Sequence, residues 1–169
     1  SSTSTEGSMA ADLETRERVL AAVPQKEPFR FIDEILELDT DHIVGAYRFK
    51  TDEHFYRGHF PGRPITPGVI LVEAMAQTGV VAFGLYLVIE QGREAELKSG
   101  NLTTLFTVID VMEFAGIVHP GERVIIRGEK VYFRKGNLKA KVSMERENGE
   151  LIASGVLAGM GVNLHGSQS

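Results

Sequence analysis

Cysteine and tryptophan are both absent from this 169-residue chain. Without cysteine there is no disulfide framework, no thiol nucleophile and no cysteine-based metal site. The absence suits a reducing compartment, and the expected location is cytoplasmic. An excess of positive charge is missing too: 18 Lys and Arg stand against 23 Asp and Glu, a formal net charge of −5. That balance argues against wholesale nucleic-acid binding, which leaves a basic footprint. An uninterrupted membrane span is also lacking. The most apolar stretch, residues 69–89, is broken by Glu73, Gln77, Thr78, Gly79 and Gly84, whereas a span takes about 20 predominantly apolar residues. It reads as a buried helix. Residues 9–24 are charged and amphipathic, unlike a signal peptide, and the small polar run SSTSTEGS before Met9 reads as an expression scar.

What is present suits one domain with a sizeable core: 43% of the residues are hydrophobic. Residues 10–23 pattern as a short amphipathic helix ended by Pro24. Residues 29–38 (FRFIDEILEL) carry a dense apolar pattern and read as a strand. Asp39-Thr40-Asp41 has turn chemistry, and residues 42–50 return as the second strand of a hairpin. An irregular region follows, then a long apolar helix over about 67–90. Residues 102–114, 123–134, 138–146 and 150–160 are strand-like. In the third of these, Leu138, Ala140, Val142 and Met144 alternate with Lys139, Lys141, Ser143 and Glu145. Asn148-Gly149 is a hairpin signal. Tight hairpins imply an antiparallel sheet, so the class is α+β. A helix apolar nearly all round must be covered on most sides, which a curved sheet around it would do, with a second subunit to cover the rest.

The stretch GHFPGRPITPGVILVEAMAQ, Gly58 to Gln77, carries the chemistry. Thr66 is a suitable N-cap, and Pro67 suits the first helical position. The Gly68 N–H then lacks an intrahelical partner at the positive end of the helix dipole, the layout of an oxyanion site. Glu73 falls in the second turn among Ile70, Leu71, Val72, Ala74 and Met75. Desolvation there raises a carboxyl above its ordinary range, so that it can stay protonated and act as a general acid. Gln77, one turn later, is placed to hydrogen-bond it. His59 stands on the stiff Pro61-Gly62-Arg63-Pro64 loop, and a neutral imidazole is a suitable base. A neutral base, a neutral acid and an oxyanion donor suit proton abstraction beside a carbonyl, coupled to loss of a β-hydroxyl. Each residue also has a plain reading. A Gly/Pro loop is usually a connector, a helical Glu usually sits at the surface, and a lone His is usually a satisfied polar residue.

This stretch closely resembles the signature of the 3-hydroxyacyl-(acyl carrier protein) dehydratases, the FabZ/FabA family. Weaker similarity covers most of the chain from Pro24 to about Met160, including Pro28-Phe29-Arg30-Phe31-Ile32-Asp33, Ile109-Asp110, Pro120-Gly121-Glu122 and Gly149-Glu150-Leu151. The resemblance implies a single hot-dog domain over residues 9–162, a long central helix wrapped by a curved antiparallel β-sheet. A disordered segment at 1–8 and a flexible tail at 163–169 would flank it. It implies a homodimer, in some members a trimer of dimers, whose sites each take His59 from one chain and Glu73 from the other. The partner is an acyl carrier protein bearing a 3-hydroxyacyl-phosphopantetheine, and no metal or redox cofactor is implied. His59 would take the C2 proton, Glu73 would protonate the departing C3 hydroxyl, and the Gly68 N–H would hold the thioester carbonyl. Phe60, Pro67 and Gln77 would border the substrate, and Phe106 is a candidate for shaping the acyl tunnel. Glu at position 73 resembles the FabZ branch, which dehydrates without isomerising.

One departure concerns the carrier. Such dehydratases carry several basic residues after the Ile-Asp pair, but here the segment reads Val111-Met112-Glu113-Phe114-Ala115-Gly116-Ile117. That speaks against a housekeeping fatty-acid role and leaves room for a specialised carrier, for example in polyketide or polyene synthesis, or for a coenzyme A thioester. Arg127, Lys130, Arg134, Lys135, Lys139 and Lys141 cluster further on and offer a surface to an acidic carrier; they also read as the solvated face of a sheet. His54, His42, His119 and His165 match no common zinc spacing. Met75, Phe83, Met112 and Phe114 are expected in the core. The alternatives to a dehydratase are a hot-dog acyl thioesterase and a non-catalytic acyl-thioester-binding protein.

Overall fold

The computed structural model describes residues 10–98 and 102–163, and the side chains of residues 10–96 and 108–161. The expected scar, His165 and most of the expected tail lie outside these residues. So does the Phe106 side chain, although its backbone lies in a strand.

An N-terminal helix, Leu13–Ala22, is capped by Asp12, whose Oδ1 accepts the Thr15 N–H at 2.9 Å. Six strands follow, β1 (Glu34–Leu38), β2 (His42–Arg48), β3 (Leu102–Phe114), β4 (Arg123–Arg134), β5 (Asn137–Arg146) and β6 (Leu151–Asn163). They form one antiparallel sheet in the order β1-β2-β4-β5-β6-β3. At the first hairpin, Asp39 Oδ1 accepts the N–H groups of Asp41 and His42, which is why Asp-Thr-Asp turns the chain.

The strand expected over 29–38 begins only at Glu34. Asp33 still donates its N–H to the Ala46 carbonyl of β2, but residues 29–32 run outside the ladder because their groups are used otherwise. The Phe31 N–H donates to the Gln77 side chain at 2.7 Å. Phe31 packs edge-on against Tyr47 in one core cluster and against the more exposed Phe29, while its neighbour Ile32 enters a second cluster with Val19, Leu38 and Phe83. Dense apolar spacing here reflects service to two clusters rather than a strand.

The central helix spans Gly68–Glu90. It is long and apolar enough to cross a membrane, but most of it is buried against the sheet. Its middle, Gln77–Ala82, is π-helical rather than the expected continuous α-helix. Here helix and sheet approach most closely. A Cβ on Gly79 would lie 2.5 Å from Val142 Cγ1, and one on Gly128 of β4 would lie 3.1 Å from Gly79 Cα. Only a residue without a side chain lets the two backbones meet. Met75 and Phe83 lie in the core as expected; Met112 packs only partly buried against it, and Phe114 is 52% exposed.

The two sheet edges differ. Beside β1, the Arg16 guanidinium donates to the Ile35 and Leu36 carbonyls, and the Ala11 N–H donates to Leu38. The β3 edge carries half-exposed Val108, Ile109, Val111 and Phe114, and no described strand pairs with its outer side.

Gly79→Ala should lower stability by roughly 1–3 kcal/mol, the usual cost of overpacking. Urea unfolding measures it, and an unchanged midpoint would mean that the helix lifts from the sheet freely.

Candidate active site

His59 sits on a loop tied down at three points. The Ile65 N–H donates to the His59 carbonyl at 2.9 Å, Phe60 and Arg63 exchange backbone hydrogen bonds, and the Thr66 N–H donates to Val118 at 2.9 Å. The Thr66 hydroxyl meets Tyr56 Oη at 2.6 Å, with both residues buried. Thr66 is therefore a loop anchor and not the expected N-cap. Pro67 occupies that position without a side-chain cap, and Gly68 is the first helical residue.

The His59 ring is oriented by backbone. Its Nδ1 lies 3.1 Å from the Ile65 carbonyl. A carbonyl only accepts, so Nδ1 carries a proton, and in the neutral imidazole the lone pair then lies on Nε2. The Phe60 ring stacks on the imidazole at 4.1 Å between centroids and is 50% exposed.

Glu73 is half-buried on the central helix. Burial pushes its carboxyl above the ordinary range, and a hydrogen bond from Gln77 opposes this with smaller effect. Gln77 itself is fully buried and fully used. Its Oε1 accepts the Phe31 N–H, and its Nε2 donates to the Phe29 carbonyl at 3.0 Å and to Glu73 Oε2 at 2.9 Å. Since Phe31 N–H only donates and Phe29 C=O only accepts, the amide cannot be reversed. Glu73 Oε2 is thereby held as an acceptor, and the proton of the neutral acid belongs on Oε1.

At the helix start, Pro67 has no N–H, and its carbonyl accepts from Ile70 and Leu71. The Gly68 N–H is the first helical donor, with no hydrogen-bond partner among the described residues. Within the chain, no hydrogen bond among the described residues joins His59 to Glu73. Each is positioned separately, one by the loop and one by the helix.

Residues 23–156 match the family described as the FabA-like domain. The chain belongs to the FabA-like family. Its relatives include the 3-hydroxyacyl-(acyl-carrier-protein) dehydratase FabZ of Acetivibrio thermocellus, 42% identical over 134 residues that span 79% of this chain and 84% of that protein. The FabZ of Roseiflexus sp. is 38% identical over 146 residues, 85% of this chain and 93% of that protein. Among solved structures, the dehydratase heterocomplex ApeI:P from Xenorhabdus doucetiae aligns with a TM-score of 0.68 at 13% identity, covering 86% of this chain and 91% of that one. A mutant thioesterase from Pseudomonas aeruginosa aligns at 0.59 and 11%, covering 91% and 96%. These two likenesses concern the hot-dog fold, which hosts more than one chemistry.

In this FabA-like chain the backbone groups of Phe29, Phe31 and Ile65 serve the site without any side-chain signal. Three other histidines are described: His54 is exposed in a short 3₁₀ turn, His42 binds Glu37 and Asp39 at the first hairpin, and the His119 N–H donates to Glu122 Oε1. No group of three or more His, Asp or Glu among the described residues is placed to hold a metal ion. Much of the basic cluster is neutralised on the outer sheet face. Arg127 pairs with Glu145, Lys139 pairs with Asp110, and Lys141 lies opposite Glu129.

Because the folded protein holds the Glu73 proton more tightly than an unfolded chain does, stability declines as pH rises from the ordinary carboxylate range through the raised value. Glu73→Gln removes that decline. Thermal unfolding should show the variant gaining on the parent as pH rises, and a growing deficit would contradict a buried acid. Gln77→Leu should move the alkaline limb of a pH–rate profile upward, because the hydrogen bond it removes lowers the Glu73 pKa. It should also cost about 1–3 kcal/mol of stability by orphaning the Phe31 N–H.

Proposed function

We propose that this chain dehydrates a 3-hydroxyacyl thioester to the trans-2-enoyl thioester, using His59 as base and Glu73 as acid. The observation that carries the assignment is the state of Glu73, a carboxyl favoured in its neutral form by burial and aimed by the Gln77 amide. His59 Nε2 takes the C2 proton. The C2–H electrons form the C2=C3 bond as the C3–O bond breaks, and the Glu73 Oε1 proton passes to the departing hydroxyl, which leaves as water. Negative charge that develops on the thioester oxygen is met by the Gly68 N–H at the positive end of the helix. The Phe60 ring packs the His59 imidazole from one side. A thioesterase would need the carboxylate ionised as base or nucleophile, and burial works against that form.

The substrate is carried on an acyl carrier protein, the class that the relatives' names specify, and its acyl group is held there as a thioester of the phosphopantetheine arm. Arg134, stacked over Tyr132 at 4.4 Å, and Lys135 make no ion pair among the described residues and are available to an acidic carrier. A homodimer completes the site, with His59 and Glu73 drawn from different chains. The open edge of β3, with half-exposed Val108, Ile109 and Val111, supports the pairing.

Purified protein should hydrate a crotonyl thioester. His59→Ala and Glu73→Gln should each lose activity by at least about a hundredfold, the scale of a general acid or base. Unaltered activity in either variant removes that residue from the mechanism. Mixing the two inactive variants under conditions of subunit exchange should restore up to about a quarter of parental activity, because half the dimers would be hybrids with one intact site. No recovery, with exchange verified by mass, would place both residues in one chain.

A further inference from the structure

The end of β3 places an aromatic side chain against the start of the central helix. Phe114 is the last residue of the strand and pairs with Ala153 of β6. Beyond it, the Ala115 and Gly116 N–H groups both donate to the Ile152 carbonyl, at 2.7 and 3.1 Å, so the backbone here is held on both sides of the ring. The ring remains 52% exposed. Its tip reaches Gly68: a Cβ built there would stand 3.5 Å from Phe114 Cζ and 3.6 Å from Cε1. Those are ordinary contact distances for a methyl group that glycine lacks, so the ring stands beside Gly68, whose N–H has no partner among the described residues.

Exposed apolar side chains stand on the neighbouring segments, and the Arg146 guanidinium, which donates to the Ile117 carbonyl, is paired with Glu122 and Glu150. Val69 is 75% exposed, Ile117 51% and Phe60 50%. Between residues 111 and 117 there is no basic side chain, and the one acid is Glu113. A carbonyl oxygen that bonds the Gly68 N–H must therefore lie beside the Phe114 ring. The groups that flank that carbonyl in a thioester, a polarisable sulfur and methylenes, are those an aromatic ring contacts favourably. Displacing water from the donor also strengthens its hydrogen bond to developing negative charge.

Resting on the proposed dehydration, we infer that Phe114 is a specificity-determining contact for that reaction: it packs on the thioester sulfur and adjoining methylenes of the pantetheine arm and holds the carbonyl on the Gly68 N–H. The mouth of this site thus selects its ligand by apolar contact with the arm rather than by charge.

The test is steady-state hydration of crotonyl-pantetheine by the parent, Phe114→Ala and Phe114→Leu, with chain assembly followed by light scattering. Parental hydration establishes the underlying reaction independently; its absence would sink the dehydratase reading itself. Given parental activity, Phe114→Ala should raise KM and lower kcat, with kcat/KM down roughly tenfold, the effect of losing about 1.4 kcal/mol of contact. Phe114→Leu, which keeps an apolar cover, should recover part of the loss, and both variants should match the parent in assembly state. Kinetics within twofold of the parent for Phe114→Ala overturn the inference. So does a loss of activity that tracks dissociation of the assembly in both variants, which would make the ring a subunit contact.

Discussion

The buried amide of Gln77 bonds at once to the Phe31 N–H, the Phe29 carbonyl and the Glu73 carboxyl, and much else hangs on these three contacts. They join two parts of the chain that are far apart in sequence, residues 29–31 and 73–77. The segment before β1 is stitched to the middle of the central helix at the residue where its π-helical stretch begins, and the Glu73 carboxyl one turn earlier is aimed. An amide suits the position because it is donor and acceptor together and carries no charge into a core that has no water to spare. Since every polar group of Gln77 is spoken for, the acid and the chain around Phe29 cannot move independently.

The loop that carries His59 achieves the same end with backbone alone. Prolines limit its conformations, and hydrogen bonds to Ile65 and Val118 hold what remains. His59 and Glu73 are thus each fixed by local structure within one chain. On the proposed reading, a site assembled from two such halves would need little rearrangement when they meet. The hot-dog scaffold leaves the choice of reaction to these details, which is why thioesterases and dehydratases share it at low identity.

Much of this was legible in the sequence wherever a feature is local. The alternation over 138–146 appears as β5 because one face is buried and the other wet. Thr-Pro-Gly marked the helix start to within a residue, and Glu73 among aliphatic neighbours announced a desolvated acid. What escaped notice was non-local. Residues 29–33 look like strand because apolar density is the same whether a chain serves one ladder or two clusters. The partner of the Phe31 amide stands 46 residues away. Ile65 orients His59 through a carbonyl, which every residue possesses. Phe114 has the composition of a core residue, but whether a strand's last side chain is covered depends on which strands lie beside it, and β3 has a neighbour on one side only.

That one-sidedness also governs how large an object these chains can build. A sheet open along both edges adds copies without limit, as a fibril does. Here Arg16 and Ala11 meet the Ile35, Leu36 and Leu38 carbonyls along the β1 edge, whereas among the described residues no strand pairs with the outer side of β3. Two copies joined through β3 would use up both open edges, and growth through the sheet would halt there. The short helix at Leu13–Ala22, remote from the chemistry, acts as a stop signal for sheet growth.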